Sequence, residues 1–192
     1  MLALPTLSSN GITLKPLTLS HATDLAEACQ DGALWKINET SVPEPDKVID
    51  YINTATSMAD RQAFVVIDDL TGKAIGTTSF HDISPISKRL EVGYTWYAKS
   101  YWRTHVNTTC KLMLLTHIFE NLDYRTVGWR TDIGNYRSQQ AIKRLGAKKD
   151  GVIRGNRVRR DGVISDTVMY SLIKSEWPPV KLALTKKLND AH

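Results

Sequence analysis

Leu90-Glu91-Val92-Gly93-Tyr94-Thr95-Trp96-Tyr97 runs through Ala98 to His105 into Val106 to about Asn121, and this stretch, LEVGYTWYAKSYWRTHVNTTCKLMLLTHIFEN, decides the fold. Leu90 to Tyr97 reads as a strand, Ala98 to His105 as a polar loop, and about Val106 to Asn121 as a long apolar helix. A strand that passes through a short loop into a helix N-terminus makes a natural anion site. The first backbone N–H groups of a helix lack an intrahelical partner, and the helix dipole favours negative charge there. The loop from Ser100 to Thr108 occupies that place.

Downstream, Arg125 to Thr131 reads as a strand, so strand, helix and strand form a parallel crossover. Asn135 to Leu145 follows as a helix that Asn135 can cap and Gly146 ends. Gly151 to Arg157 and Val163 to Ile173 are strands joined by the turn Arg160-Asp161-Gly162. Glu176-Trp177-Pro178-Pro179 opens a short amphipathic C-terminal segment, a tail from about residue 178 to 192, with Val180, Leu182, Leu184 and Leu188.

Upstream, Gly11 to Leu17 reads as a first strand. Ser20 can cap a helix over His21 to Gln30 with Leu25, Ala28 and Cys29 inside. Pro45 suits the first turn of a second helix that carries Val48, Ile52 and Ala55 on one face. Ala63 to Asp68 and Ala74 to Phe80, joined across Leu70-Thr71-Gly72-Lys73, make a hairpin. Segregated helices with a mixed, mostly antiparallel central sheet of about seven strands give an α+β fold. The 192 residues suit one domain.

Composition narrows the classes of function. With 42% hydrophobic and 23% charged residues the chain is an ordinary globular one, which excludes bulk disorder. A net charge of +5 fits an anionic partner, and does not separate a nucleotide cofactor from a nucleic acid. Cys29 and Cys110 are too few and too far apart for a disulfide framework or a zinc motif. The five histidines show no metal-ligand spacing, so no metal is expected. Neither a signal peptide nor a membrane span is legible, and a cytoplasmic protein without a membrane partner is expected.

The run from Leu90 to Trp96, followed by Tyr101 to Lys111, resembles the pyrophosphate-binding segment of the GCN5-related N-acetyltransferase (GNAT) superfamily. It is most similar to the RimJ/RimL-like branch. Thr131 to Ala147 resembles that branch's Asn-x-x-Ser helix with its Leu-Gly-Ala ending, and Asp161-Gly162, Asp166-Thr167, Tyr170-Ser171 and Glu176-Trp177-Pro178 continue the likeness. The resemblance spans about Gly11 to Pro178. The wider family carries glycines where this chain has Arg103 and His105, and often Glu where it has Thr109.

The resemblance implies a GNAT fold with a splayed strand pair at a cofactor cleft. It implies transfer of an acetyl group from acetyl-CoA to a primary amine, borne by a protein N-terminus or a small molecule, by direct attack. Thr95, Trp96 and Tyr97 on the splayed strand, Arg103, Thr104, His105, Val106, Asn107 and Thr108 in the loop and helix start, and Asn135 and Ser138 are the expected cofactor contacts. Glu91 is expected as general base and Ser138 as the acid for the leaving thiolate. His81, at a strand end on the substrate side, weighs more as a structural residue. The alternatives are a CoA-binding protein without catalysis and a ribosome- or RNA-associated protein using Arg154, Arg157, Arg159 and Arg160. Nucleic acid is the less favoured partner, and a homodimer is open.

Overall fold

The computed structural model describes residues 4–190. Its strands are β1 (Leu7–Ser9), β2 (Ile12–Pro16), β3 (Gln62–Asp68), β4 (Ala74–Ser84), β5 (Arg89–Tyr97), β6 (Thr126–Asp132), β7 (Lys148–Val158) and β8 (Ile164–Ile173). The helices are α1 (Ala22–Gln30), α2 (Val48–Ser57), α3 (Val106–Thr116), α4 (Tyr136–Arg144) and α5 (Trp177–Asn189). The strands form one sheet in the order β1-β2-β3-β4-β5-β6-β8-β7, antiparallel throughout except where β5 meets β6.

The eighth strand is the N-terminal one. Asn10 and Gly11 both take left-handed backbone (φ 47° and 72°), the geometry of a two-residue hairpin turn, and fold β1 onto β2. β3 is buried along almost its whole length because both of its faces are covered. Phe64 and Val66 pack with α3 and α5, while Ala63, Val65 and Ile67 pack with α1 and α2. Fully burying a side chain of this size contributes about 1.5–3 kcal/mol.

Several boundaries differ from the sequence reading. The first helix is capped two residues earlier than Ser20. Thr18 is extended, its N–H donates to His21 Nδ1 at 3.1 Å, and a 3-10 turn over Leu19–His21 leads into α1. α3 is α-helical only to Thr116, and its last turn, His117–Asn121, widens to a π-helical one. The C-terminal segment is an integral helix, since Trp177, Leu184 and Leu188 of α5 are buried. Gly146, at φ 89°, lies against α5: a Cβ there would stand 2.7 Å from Val180 Cγ2.

β5 is the strand on which the fold turns. It pairs with β6 only at Arg89–Thr126, Leu90–Val127 and Glu91–Gly128. Beyond Glu91 the two strands part, and β6 continues beside β8 alone. The register between β4 and β5 also slips between Thr77 and Ser79, opposite Tyr94, whose φ is 50°. This bulge reverses which face the later residues show. Leu90 and Val92 pack on the α3 side, Trp96 on the α1–α2 side, and Tyr97 on the α3 side again.

Candidate active site

The parted strands open a cleft of about 1230 Å³. Its floor is β5 from Val92 to Tyr97, with Trp129 to Thr131 of β6 opposite. One end reaches the head of α3 and the start of α4. The other reaches the loop from Ile37 to Val42, with Asn156, Arg157 and Val158 of β7. At the mouth, the Arg137 guanidinium of α4 stacks 3.6 Å over the Trp102 ring. Trp102 is held in turn by its indole N–H, which donates to Tyr97 O at 2.9 Å.

The residues expected at the cofactor fall into two groups. Thr95, Trp96, Tyr97, Arg103, Thr104, Asn107, Thr108, Asn135 and Ser138 all line the cleft. His105 and Val106 do not. The His105 ring turns to the carbonyl of Asn10 at 3.2 Å, and Val106 is buried in the core. Arg103 holds a φ of 64°, the left-handed backbone that glycine adopts most cheaply, so its position is one where the loop needs glycine-like geometry. His105 is right-handed at φ −67° and has no such need.

The chain offers a matching set of unpaired groups for a long, amide-bearing, anionic ligand. Among the described residues the backbone amides of Asn107 and Thr108 make no hydrogen bond, while Thr109 N bonds His105 O. The edges of β5 and β6 are free of each other beyond Glu91 and Gly128. The indole N–H of Trp129, in the wall of β6, is buried without a partner. Asn135 caps α4 through Oδ1, which accepts from Ser138 N at 3.0 Å, and this fixes the Asn135 side chain at the cleft.

Glu91 is 3% exposed and does not line the cleft. Its oxygens are taken by Arg130 Nε at 2.7 Å and Arg89 at 3.3 Å. Arg130 also donates to Asp82, and Asp82 accepts from His81 Nδ1 at 2.8 Å. His81 and Asp82 do line the cleft, so the chain of contacts runs from buried Glu91 to a histidine at the cavity wall. Burial lowers the His81 pKa from 6.5, against the opposing pull of Asp82 and Glu91. Its ring packs edge-on to Tyr94 at 5.1 Å, and its Nε2 lies over Gly93, where a Cβ would collide with it. Ligand-type atoms of His81, Asp82 and Glu91 lie within 4.8 Å of one another. The Arg130 guanidinium bonds both carboxylates there and already supplies the positive charge.

Two more charged residues shape the site, and the sequence reading assigns neither a role, although both lie within the runs that carry the resemblance. Asp132, fully buried at the end of β6, accepts from Arg159 and from Gly134 N at 2.8 Å. Burial pushes its pKa up, but Arg159, the Gly134 amide and Ser165 outweigh that and hold it at about 2. It thereby ties the β7–β8 hairpin to the turn that presents Asn135. Lys111 of α3 lines the cleft with 5% exposure and donates to Thr95 Oγ1 at 3.0 Å. Of the basic residues considered for nucleic acid, Arg159 is bound to Asp132 and Arg160 donates to Val42 O. No described helix is long and apolar enough to cross a membrane.

Residues 12–148 match the family model described as an acetyltransferase (GNAT) domain. The "Putative ribosomal N-acetyltransferase YdaF" of Bacillus subtilis (strain 168) is 31% identical over 106 residues, 55% of this chain and 57% of that protein. With YoaA of the same organism, matched over 58% of its length, the chain spans a little over half of the curated relatives it matches. The crystal structure of a "putative acetyltransferase" from T. thermophilus superposes with a TM-score of 0.86 and 29% identity, covering 98% of this chain and all of that one. RimL, the ribosomal L7/L12 alpha-N-protein acetyltransferase solved with coenzyme A, shares the fold. Its TM-score is 0.75 and its identity 17%, over 90% of this chain and 99% of its own.

Proposed function

Since the chain belongs to the GNAT acetyltransferase family, we propose that it moves an acetyl group from acetyl-CoA to a primary amine by direct attack, as an enzyme of the RimJ/RimL-like type. The observation that carries this reading is the gap between β5 and β6, whose unpaired edges face the free amides at the head of α3. A diphosphate is held by the Asn107 and Thr108 amides, with Thr104 and the Arg103 guanidinium beside them. The pantetheine arm lies along Thr95 to Tyr97 and reaches Asn135 across the cleft. Holding thioester and amine in one cleft removes most of the entropic cost of their meeting.

The amine arrives mostly charged, because α-amino and lysine groups have pKa values near ~8 and ~10.4. A group at the wall has to take its proton. We assign this to His81, which burial keeps neutral and Asp82 orients. Glu91, expected as the base from the sequence, acts at one remove: through Arg130 it fixes Asp82, and so positions His81. A backbone N–H near Thr95 or Trp96 meets the oxygen that gains charge as the carbonyl is attacked. Ser138 supplies the proton for the departing thiolate. The name of YdaF, a putative ribosomal N-acetyltransferase, favours a protein acceptor.

The test is thiol release from acetyl-CoA over a panel of amines that includes peptides with free N-termini. On a confirmed acceptor, His81→Gln and Ser138→Ala are expected to lower kcat by about 10²-fold, and Glu91→Gln by less. Full kcat in all three variants removes the assigned roles. A rise in melting temperature with acetyl-CoA, but no thiol release with any amine, points instead to a CoA-binding protein without catalysis.

A further inference from the structure

Lys111 is a charge for which the proposed reaction has no task. It lies on α3 one turn beyond Asn107 and Thr108, and its side chain reaches the cleft beside Thr95. Nζ donates to Thr95 Oγ1 at 3.0 Å, and Thr95 Oγ1 is bonded to Thr78 Oγ1 at 2.8 Å. Among the described residues no carboxylate pairs with it, and the thiol of neighbouring Cys110, which burial pushes up to about 11, is uncharged at neutral pH. Burial pushes the ammonium down to about 8, so at neutral pH most of it is still charged. An ammonium kept out of water with only a hydroxyl as partner is costly, and a Met or Leu would fill the same space without that cost.

An anion entering the cleft offsets the cost. The diphosphate is assigned to the head of α3, a turn away from this point. Thr95, by contrast, belongs to the segment assigned to the thioester. The anion that reaches Lys111 is therefore on the acyl side. We infer that Lys111 receives a carboxylate at the far end of the acyl chain, so that the cleft takes acyl-CoA donors of dicarboxylic acids, malonyl- or succinyl-CoA, as well as acetyl-CoA. The inference rests on reading this cleft as an acyl-CoA site. In such donors the carboxylate stands one or two methylene groups past the carbonyl, and the Thr95 hydroxyl, which lines the cleft, offers a further partner to it. The transfer itself is unchanged. The amine nitrogen bonds the thioester carbon, the C–S bond breaks, and the proton lost by the amine is matched by one gained at the thiolate. The product amide carries a free carboxylate.

The experiment compares succinyl-CoA with butyryl-CoA, its uncharged counterpart of the same chain length, by calorimetry on the intact protein without acceptor. Succinyl-CoA is expected to bind at least about tenfold tighter. Lys111→Met is expected to abolish that preference and Lys111→Arg to keep part of it. Thiol release with a confirmed amine should show the same order, with the product gaining a succinyl group. Equal affinity for the two donors in the native protein overturns the inference, and so does an unchanged ratio in K111M. If K111M slows transfer from every donor alike, Lys111 serves the thiolate rather than a carboxylate, and the inference also falls. Binding of acetyl-CoA but not succinyl-CoA sinks this inference alone, whereas binding of no acyl-CoA sinks the cofactor reading beneath it.

Discussion

Replacing Lys111 by Met removes a buried ammonium and leaves Thr95 bonded to Thr78, so the variant should be more stable than the native chain near pH 7. The folded-state pKa of Lys111 lies below its ordinary 10.5, so its favourable share is present above 10.5 and is lost as pH falls through about 8. The advantage of K111M should therefore reach roughly 1–3 kcal/mol at pH 7 and shrink toward pH 10, read from urea denaturation at both. His81 follows the same sign at lower pH. Its pKa is held below 6.5, so neutral-ring stability is intact above that value and is lost as pH falls through the folded one. kcat on a confirmed amine should fall over the same acid limb, and a kcat that stays flat while the His81 ring, followed by NMR, takes up its proton would contradict His81 as the proton acceptor. Neither residue is legible in the sequence as what it is. Strict alternation along β5 places Glu91 and Thr95 on one face, whereas the bulge at Tyr94 separates them, so Glu91 joins His81 and Thr95 joins Lys111. A bulge at a non-glycine residue leaves no mark in the sequence that alternation can detect.

Two element ends carry the loop chemistry, and each has a measurable cost. Asn135→Ala removes the cap of α4 and should cost about 1 kcal/mol of stability, with weaker binding of coenzyme A by calorimetry as Ser138 loses its anchor. Arg103→Gly should act in opposite directions on two readouts. The left-handed backbone becomes unstrained, a gain of about 1 kcal/mol in chemical denaturation, while cofactor affinity falls because the guanidinium has left the cleft. A fall in both would show that the strain is absent. Most elements are readable because their signals are local: the strand-loop-helix run at Leu90 to Asn121, the Asn135 cap, and the Gly146 stop. β1 escapes such a reading although Asn10-Gly11 is a strong turn signal, because only three residues precede the turn in the strand. β7 begins earlier and α5 runs longer than periodicity suggests. β7 is mostly exposed, and α5 is fixed by tertiary contacts rather than by its own pattern.

Across the whole molecule, α5 closes the core that supports the cleft floor. The Trp177 ring lies 5.5 Å from Phe119 and its indole N–H donates to Glu120 at 2.6 Å, so Trp177→Ala should cost about 3–5 kcal/mol in thermal or chemical unfolding. Such a loss would confirm that this helix is part of the body and not an appendage. The α+β order and the one parallel pairing can be foreseen, because strand-helix-strand with a long connection permits little else. How distant loops meet cannot, since such contacts join residues more than a hundred positions apart. One of them bears on what can reach the amine end. Asn38 donates to Asp161 at 2.7 Å and Arg160 donates to the carbonyl of Val42, which clasps the tip of the β7–β8 hairpin to the loop before α2. That clasp makes a doorway with a fixed lintel. Under the proposed reaction, a slender, unfolded chain end should thread beneath it more readily than a lysine on the broad surface of a folded partner.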